Sequence, residues 1–546
     1  MGSASISRLL LLSLLAGSLG ESAAPHLRFT DIAEQAGLAG FVNKQGTTKK
    51  DYILESVGGG AAFFDYDKDG WLDIALVRGA DLESYRKGGE PVVSLYRNNG
   101  DSTFTDVSGK AGLLNASGWG MGITVADYNE DGYDDIFVTG YGRNFLFRNS
   151  GPGTFAEVAR EAGLLSEGLW STGAVFFDAN QDGRLDLYVS RYIKFDASRP
   201  IPRSARCKFK GMSVFCGPQG LESELHSLYQ GNKDGRFSDV SETAGIREAE
   251  PPFHGLGVIA LDYNNDGRMD LYVGNDSCAN MLWRNEGGGR FVDVAVEAGV
   301  AFSSDGMEQA SMGVEAGDLR NRGLLDIVVT NFSGETHEIY RNSPQYFLED
   351  VTWDSGLGAP TLPALGWSTH MADFDMDGWL DIFIVNGHVY PEVDTRPVGT
   401  TYRQKAMWFR NLKNGKFEEI AGFADPLAGR GAATGDFDND GDLDIVINNI
   451  DGPPALLRNE GIPGMNWLQI GAPLGARVWV KTQGLTQMRE ISSASGYLSS
   501  SSRRAYFGLG SASKADEVSV SLPDGRKQTR LDVRANQIID LTSDIN

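Results

Sequence analysis

The sequence contains few of the side chains on which most metal and nucleophile chemistry depends, with three cysteines and six histidines in 546 residues. No Cys/His spacing typical of zinc is present, and neither a Gly-x-Ser-x-Gly elbow nor a glycine-rich phosphate loop occurs. Basic residues are also outnumbered, 49 Lys and Arg against 73 Asp and Glu, which gives a formal charge of −24. This acidity argues against nucleic acid and anionic membranes as partners.

Long apolar runs are absent except at the N-terminus, where Arg8 precedes Leu9 to Leu15 and a stretch of small residues. The run is too short for a stable transmembrane helix and has the organisation of a signal peptide. We predict that residues 1–24 are this signal peptide, cleaved between Gly20 and Ala24. The mature protein is expected to be secreted or extracellular, or periplasmic or on the cell surface in a bacterium, without membrane insertion.

The three cysteines divide into a pair and a single residue. Cys207 and Cys216 flank a short loop, and an oxidising compartment would favour a disulfide between them. Cys278 is left over and is expected to be a buried free thiol rather than a nucleophile.

Glycine, in contrast, is abundant at 69 residues, and the chain repeats one motif. The pattern Asp-x-Asp/Asn-x-Asp-Gly-x-x-Asp occurs seven times, with one degenerate copy, and its spacing suits four short strands with their turns, which is one propeller blade. We number these segments loops 1 to 7; they begin at Asp65, Asp127, Asp178, Asp262, Asp318, Asp373 and Asp436.

The strand motifs around the loops predict how the repeats close. A motif Phe-x-Asp/Glu-Val/Ile follows loops 1 to 6 but is missing after loop 7, and a matching segment, FTDIAEQAGL, stands at residues 29–38. An N-terminal strand that completes the last blade would remove two exposed sheet edges. We therefore predict an all-β fold with a seven-bladed β-propeller over residues 27–460, closed by the N-terminal strand.

The loops carry oxygen ligands suited to Ca²⁺, which takes six to eight of them. Carboxylates at positions 1, 3, 5 and 9 and a backbone carbonyl at position 7 can surround one ion, and glycine at position 6 permits the turn. The alternative is that these acids only form Asx-turns, which leaves carboxylates crowded together without a counter-charge. The predicted metal-binding residues are Asp65, Asp67, Asp69, Trp71, Asp73, Asp127, Asn129, Asp131, Tyr133, Asp135, Asp178, Asn180, Asp182, Arg184, Asp186, Asp262, Asn264, Asp266, Arg268, Asp270, Asp373, Asp375, Asp377, Trp379, Asp381, Asp436, Asp438, Asp440, Asp442 and Asp444.

Loop 5, residues 318–326, departs from the pattern because arginines stand at two ligand positions, Arg320 and Arg322. A guanidinium there can pair with Asp318 and Asp326 and replace the charge of an ion. We predict that this loop is metal-free, which leaves about six Ca²⁺ sites.

The recurring loop, strand and Arg-Asn elements over residues 27–460 resemble the FG-GAP/VCBS-type propeller of integrin α chains. From Asn466 the composition changes, and serines cluster at 492–502. The segments NWLQI (466–470), GYLSSS (496–501) and YFGLG (506–510) resemble the ASPIC/UnbV domain, and alternation in RVWV and VSVSL favours a small antiparallel β-domain over residues 466–541. Together the matches resemble the cartilage acidic protein-like family, which implies calcium binding and an extracellular role.

A candidate binding ring lies five residues after each ninth-position Asp, on the face expected opposite the loops. Polar side chains that converge near a propeller axis can form a binding site; the alternative is that Asn and Gly here only end strands. The predicted ligand-binding residues are Arg78, Arg191, Asn275, Asn331, Asn386, His388 and Asn449.

These features favour a calcium-binding recognition or adhesion protein that binds an extracellular glycan or protein through this face. An alternative is an extracellular polysaccharide lyase or hydrolase with the axial face as its cleft, for which His254, His370 and His388 are the candidates for acid–base work. A third is a scaffold for another protein, with the C-terminal domain as the contact.

Overall fold

The computed structural model describes residues 27–541 except 152, 201–205 and 424. The predicted signal peptide therefore lies outside the described residues. Strands dominate the rest of the chain, which confirms the all-β fold class. The short α-helices are Leu82–Arg86, Ala295–Ala298, Thr352–Ser355 and Gly358–Thr361, and the 3₁₀ helices are Ile53–Ser56, Leu113–Asn115, Ile246–Glu248 and Pro391–Thr395. None of the helices in these ranges is long and apolar enough to cross a membrane.

Seven repeat sheets follow one another along the described chain, each with one loop between its first two strands. Sheet 1 contains Ala61–Phe64, Asp73–Val77, Val93–Asn98 and Phe104–Asp106, and sheet 2 contains Ser117–Ala126, Asp135–Tyr141, Phe145–Asn149 and Phe155–Glu157, with Glu90–Pro91 beside its first strand. Sheet 3 contains Ser171–Phe177, Asp186–Arg191, Ser227–Gly231 and Phe237–Asp239. Sheet 4 contains Gly255–Leu261, Asp270–Asn275, Met281–Gly287 and Arg290–Asp293. Sheet 5 contains Val314–Gly317, Asp326–Val329, Glu338–Asn342 and Leu348–Asp350. Sheet 6 contains Gly366–Ala372, Asp381–Asn386, Met407–Asn411 and Phe417–Ile420. Sheet 7 contains Gly429–Gly435, Asp444–Asn449, Ala455–Asn459 and the N-terminal strand Phe29–Asp31.

The repeat sheets surround an axis. Phe29–Asp31 pairs antiparallel with Ala455–Asn459, so the two ends of the repeat region share sheet 7. The first strands contact one another in sequence, and that of sheet 7 contacts that of sheet 1, which is the arrangement of a β-propeller. Small residues are needed where these strands converge, since a Cβ added at Gly313 would lie 1.9 Å from the carbonyl oxygen of Trp367.

The described parts of two insertions, one between the second and third strands of sheet 3 and one between those of sheet 6, cover the end of the axis opposite the loops. In the first, Cys207–Phe209 pairs with Met212–Val214, and a disulfide joins Cys207 to Cys216 with their Cα atoms 5.0 Å apart. The rings of Phe209 and Phe215 pack against Tyr390 of the second insertion, with centroids 5.5 and 4.7 Å away. This end of the axis is therefore closed by an apolar cluster.

The C-terminal domain contains two sheets. One places Asn466–Gly471 between Arg504–Gly510 and Gln537–Asp540, and the other orders Leu485–Glu490, Arg477–Thr482, Lys514–Ser521 and Lys527–Arg534. The prediction of a purely antiparallel domain needs a correction, because Gln537–Asp540 runs parallel to Asn466–Gly471. The chain passes from Lys527–Arg534, at the edge of the second sheet, to Gln537–Asp540, at the edge of the first sheet. Gln537–Asp540 then runs in the same direction as Asn466–Gly471, the first strand of the domain.

Residues 491–503, the axial segment, leave the C-terminal domain and enter the propeller axis. The carbonyl of Leu498 accepts from the Ile123 N–H at 2.9 Å, and Ser500 and Ala61 are joined through the Ser500 N–H at 3.0 Å. Tyr497 is fully buried and donates its hydroxyl to the Val57 carbonyl at 2.8 Å. Among the described residues, the axis is thus filled by the chain itself.

Candidate metal sites

All seven loops share one backbone path. The carboxylate at position 1 accepts the N–H groups of positions 5 and 6; in loop 1 these bonds join Asp65 to Asp69 at 3.0 Å and to Gly70 at 2.9 Å. Glycine at position 6 has a positive φ in every loop, between 71° in loop 5 and 99° in loop 7. Loop 5 has this path as well, so turn hydrogen bonds and glycine set the conformation whether or not the loop has a full ligand set.

The ninth-position Asp anchors each loop to the third strand of its sheet. Asp73 Oδ1 accepts the Asn98 N–H at 2.8 Å, and the equivalent bond recurs in all seven sheets. The Asn98 side chain then donates to the carbonyls of Leu72 at 3.0 Å and of Phe437, in loop 7, at 2.8 Å. Asn98 therefore ties the loop of its own sheet to the loop of the preceding sheet.

Three loops bring carboxylate oxygens into positions that one cation can share. In loops 1, 6 and 7, three acids each offer an oxygen within 4.8 Å of the others; the groups are Asp65, Asp67 and Asp73, then Asp373, Asp375 and Asp377, then Asp436, Asp438 and Asp444. Buried oxygens of Asp67, Asp375, Asp381 and Asp438 have no hydrogen-bond partner within the protein. Unpartnered carboxylate oxygens are costly when buried, and a hard cation with oxygen ligands such as Ca²⁺ would satisfy them.

Burial raises the pKa of the ninth-position carboxyls. The pKa of Asp73 and of Asp135 rises to about 8 and that of Asp186 to about 7, mainly through loss of solvent. The pKa values of Asp270, Asp381 and Asp444 also lie well above the usual range for the same reason. A positive charge at the loop would stabilise the ionised forms and lower these values.

Loops 2, 3 and 4 have asparagine instead of aspartate at position 3. Asn129 donates its side-chain amide to Asp131 at 2.9 Å, and its amide oxygen accepts the Asp131 N–H at 3.1 Å. The same amide-to-acid bond joins Asn180 to Asp182 and Asn264 to Asp266. These loops therefore carry less negative charge and satisfy part of it internally.

Loop 5 neutralises its buried acid with an arginine. Arg320 contacts Asp326 through two bonds of 3.2 and 2.8 Å and also donates to the Asn342 carbonyl. The guanidinium limits the pKa of Asp326 to about 6 despite its burial. The predicted pairing of a guanidinium with Asp318 is not made by Arg322, because the Arg322 side chain is exposed. Asp318 accepts instead from the Arg322 backbone N–H.

The C-terminal domain lies on the loop side of the propeller and places arginines beside several loops. Arg503 forms a two-bonded ion pair with Asp134 of loop 2, at 2.5 and 2.6 Å. Arg477 lies 3.5 Å from Asp262 of loop 4 and pairs with Glu490 at 2.7 Å. Sequence patterns missed these contacts, since nothing in the spacing of a C-terminal arginine indicates which loop it meets.

Two of the predicted metal-binding acids accept hydrogen bonds from neutral donors of the same domain. Gln469 donates its side-chain amide to Asp436 Oδ2 at 2.5 Å, and the backbone N–H of Gly508 donates to Asp373 Oδ2 at 3.0 Å. A cavity of about 130 Å³ lies beside them, between loops 6 and 7 and the C-terminal domain. The cavity is lined by polar and apolar residues, and its volume has room for a few water molecules.

The predicted ligand-binding ring is placed inside the protein rather than on an open face. The amides of Asn275, Asn331, Asn386 and Asn449 donate to nearby backbone carbonyls at 2.8 or 2.9 Å, and all four residues are buried. They serve as turn anchors, the simpler of the two interpretations open at the sequence level.

The charged members of that set are held by the protein as well. Arg191 is buried and contacts Ser227 and Tyr229 at 3.1 and 3.0 Å. Arg78, half-buried, donates to Ser94 at 2.6 Å. Arg191 is therefore shielded from solvent, whereas Arg78 stays partly exposed.

The histidines considered for acid–base work are also buried. Burial lowers the pKa of His370 and of His388 to about 3, so both are neutral near pH 7. His388 Nδ1 accepts the Tyr390 N–H at 3.1 Å, and His254 contacts the Asp276 carbonyl at 2.8 Å. All three side chains lie inside the described part of the protein, at most 2% exposed.

Comparison with known proteins finds two families in the chain and several similar proteins. The FG-GAP-like repeat family matches residues 65–138, 127–189, 262–329 and 398–447, and the ASPIC and UnbV family matches residues 471–545. Cartilage acidic protein 1 of Mus musculus is 26% identical over 511 residues, which cover 86% of this chain and 71% of that protein. The Homo sapiens protein is 26% identical over 509 residues, covering 86% of this chain and 69% of that protein. A solved structure of an Agrocybe aegerita lectin that recognises non-reducing terminal N-acetylglucosamine has a TM-score of 0.39 and 16% identity, covering 73% of this chain and 87% of that one.

The chain is thus a β-propeller protein that contains FG-GAP-like repeats and a C-terminal ASPIC/UnbV domain. Within that class, the chain is homologous to cartilage acidic protein 1 over most of its length. The family resemblance inferred from the repeated motifs is thereby confirmed.

Proposed function

We propose that this chain is a secreted, calcium-binding recognition protein in which cations held by loops 1, 2, 3, 4, 6 and 7 stabilise the propeller. The observation that carries the proposal is the set of buried, unpartnered carboxylate oxygens in loops 1, 6 and 7. Such oxygens are expected to be satisfied in a folded protein. Loop 5, with Arg320 in place of a ligand, is the exception that the same charge argument accounts for.

The calcium step is tested by removing the cations. Metal content of the purified chain is measured after dialysis into Ca²⁺, and thermal unfolding is followed with Ca²⁺ and with chelator. Each occupied site adds about 2.7 kcal/mol when free Ca²⁺ is a hundred times its Kd, so chelation should lower the unfolding temperature markedly. Absence of bound metal, together with unchanged unfolding in chelator, would rule the proposal out.

The recognition surface is proposed to be the propeller face opposite the loops, because the C-terminal domain contacts the loop side. Long insertions on a rigid scaffold often carry recognition, and residues 191–200, 206–225 and 388–405 follow the second strands of sheets 3 and 6 on this face. The partner is expected to be an extracellular glycan or protein. A glycan array probed with the calcium-loaded chain should give binding to a defined sugar class, whereas silence would direct the search to protein partners.

A further inference from the structure

The C-terminal domain contacts acids that the calcium proposal assigns as ligands. Asp436 and Asp373 stand at position 1 of loops 7 and 6, and each is about 1% exposed. Besides the two N–H groups of its own loop, each carboxylate accepts one donor from the C-terminal domain, the Gln469 amide and the Gly508 N–H respectively. The fit is close, because a Cβ added at Gly508 would lie 2.2 Å from Asp373 Oδ2.

Loops 2 and 3 lack this support. Among the hydrogen bonds of the described residues, Asp127 accepts only from Asp131 and Gly132. Asp178 likewise accepts only from its own loop. The seven loops are thus alike in backbone but differ in what surrounds their first ligand.

A donor that holds a ligand carboxylate acts on metal binding through that carboxylate. It fixes the orientation of the carboxylate oxygens, so that less freedom is lost when a cation arrives. Gln469 and the Gly508 N–H are positioned to do this, because each lies within hydrogen-bond distance of a position-1 carboxylate that is about 1% exposed.

We infer that the C-terminal domain is an outer-sphere support for the cations of loops 6 and 7, which bind more tightly than those of loops 2 and 3. Because coupling between two binding events is reciprocal, cations in loops 6 and 7 in turn hold the C-terminal domain on the propeller. Gln469 is a positioning residue for the cation of loop 7. This inference rests on the proposed calcium binding.

The first test replaces Gln469 by leucine in the full chain. Calorimetric Ca²⁺ titration should show one site weakened roughly 10- to 100-fold, the usual effect of losing an outer-sphere partner, with the others unchanged. Gln537→Leu is the matched control, because Gln537 is an exposed glutamine of the same domain whose side chain, among the described residues, donates only to the Arg534 carbonyl. A folded Gln469→Leu chain that titrates like Gln537→Leu would overturn the inference.

The second test needs no variant. Backbone hydrogen exchange of residues 504–510 is compared in Ca²⁺ and in chelator, with the C-terminal hairpin 514–534 as internal reference. Exchange in 504–510 should accelerate in chelator more than in the hairpin, and equal exchange in both conditions would contradict the coupling. A wild-type chain that binds no cation would remove the proposed function as well, whereas a chain that binds cations without either effect would remove only this inference.

Discussion

Loops 5 and 7 follow the same backbone path and balance buried acid in opposite ways. In loop 5, Arg320 lies 2.8 Å from Asp326 and no cation is required for neutrality. In loop 7, Asp438 and Asp442 each keep a buried oxygen without a partner, and the pKa of Asp442 rises to about 9. The residues of the loop motif therefore have two different roles. Position 1 and glycine shape the turn, while the remaining positions decide what supplies positive charge.

The largest expected effect comes from removing the Arg320 guanidinium, the positive charge that pairs with Asp326 in loop 5. Arg320→Met leaves the Asp326 carboxyl buried and unpaired, and breaking a buried pair from one side costs about 3–5 kcal/mol. Urea or thermal unfolding measures the change. Arg322→Met is the control, because this neighbouring arginine is exposed and should alter stability by less than about 0.5 kcal/mol. Equal stability of the two variants would mean that Arg320 does not neutralise the loop.

A gain-of-site experiment sharpens the comparison from the other side. Arg320→Asp combined with Arg322→Asp gives loop 5 acids at positions 1, 3, 5 and 9, as in loop 1. The variant should be destabilised in chelator and bind one more cation than wild type, which would restore about 2.7 kcal/mol at a hundredfold excess over Kd. Metal analysis gives the stoichiometry. An unchanged count would show that ligand identity alone does not make a site here.

How much of this structure can be predicted from the sequence depends on how far apart along the chain the interacting residues lie. The loops and their strands were predictable, because turn glycine, alternating acids and β-branched runs act over a few residues. The pairing of Phe29 with Asn459 was suggested by a missing motif rather than by local propensity. The axial segment was not foreseen, since a run of serines gives no signal of the axis it enters, where Ser499 and Ser500 bond to the first strand of sheet 1.

The next prediction concerns Asn98, the asparagine of sheet 1 that donates a hydrogen bond to the Phe437 carbonyl of loop 7. Asn98→Ala leaves the buried carbonyls of Leu72 and Phe437 without this donor, which costs about 1–3 kcal/mol. Asn99→Ala is the matched control, since Asn99 is exposed and bonds only within its own turn. Sheet 3 has Gly231 at the equivalent position, so the contact is not obligatory in every sheet. A loss no greater than that of Asn99→Ala would show that the link contributes little.

The smallest expected effect tests whether loop 7 owes its proposed affinity to charge. Asp438→Asn gives loop 7 the position-3 residue of loops 2, 3 and 4, where asparagine bonds to the position-5 acid instead of adding charge. Because the number of ligand charges tunes Ca²⁺ affinity, one site should weaken roughly tenfold, or about 1.4 kcal/mol, with unchanged stoichiometry. Calorimetric titration beside Asp305→Asn, an exposed acid outside the loops, measures the difference. If the affinity stays the same, the amide oxygen replaces the carboxylate fully, and loops 2 to 4 then lose nothing by carrying asparagine at position 3.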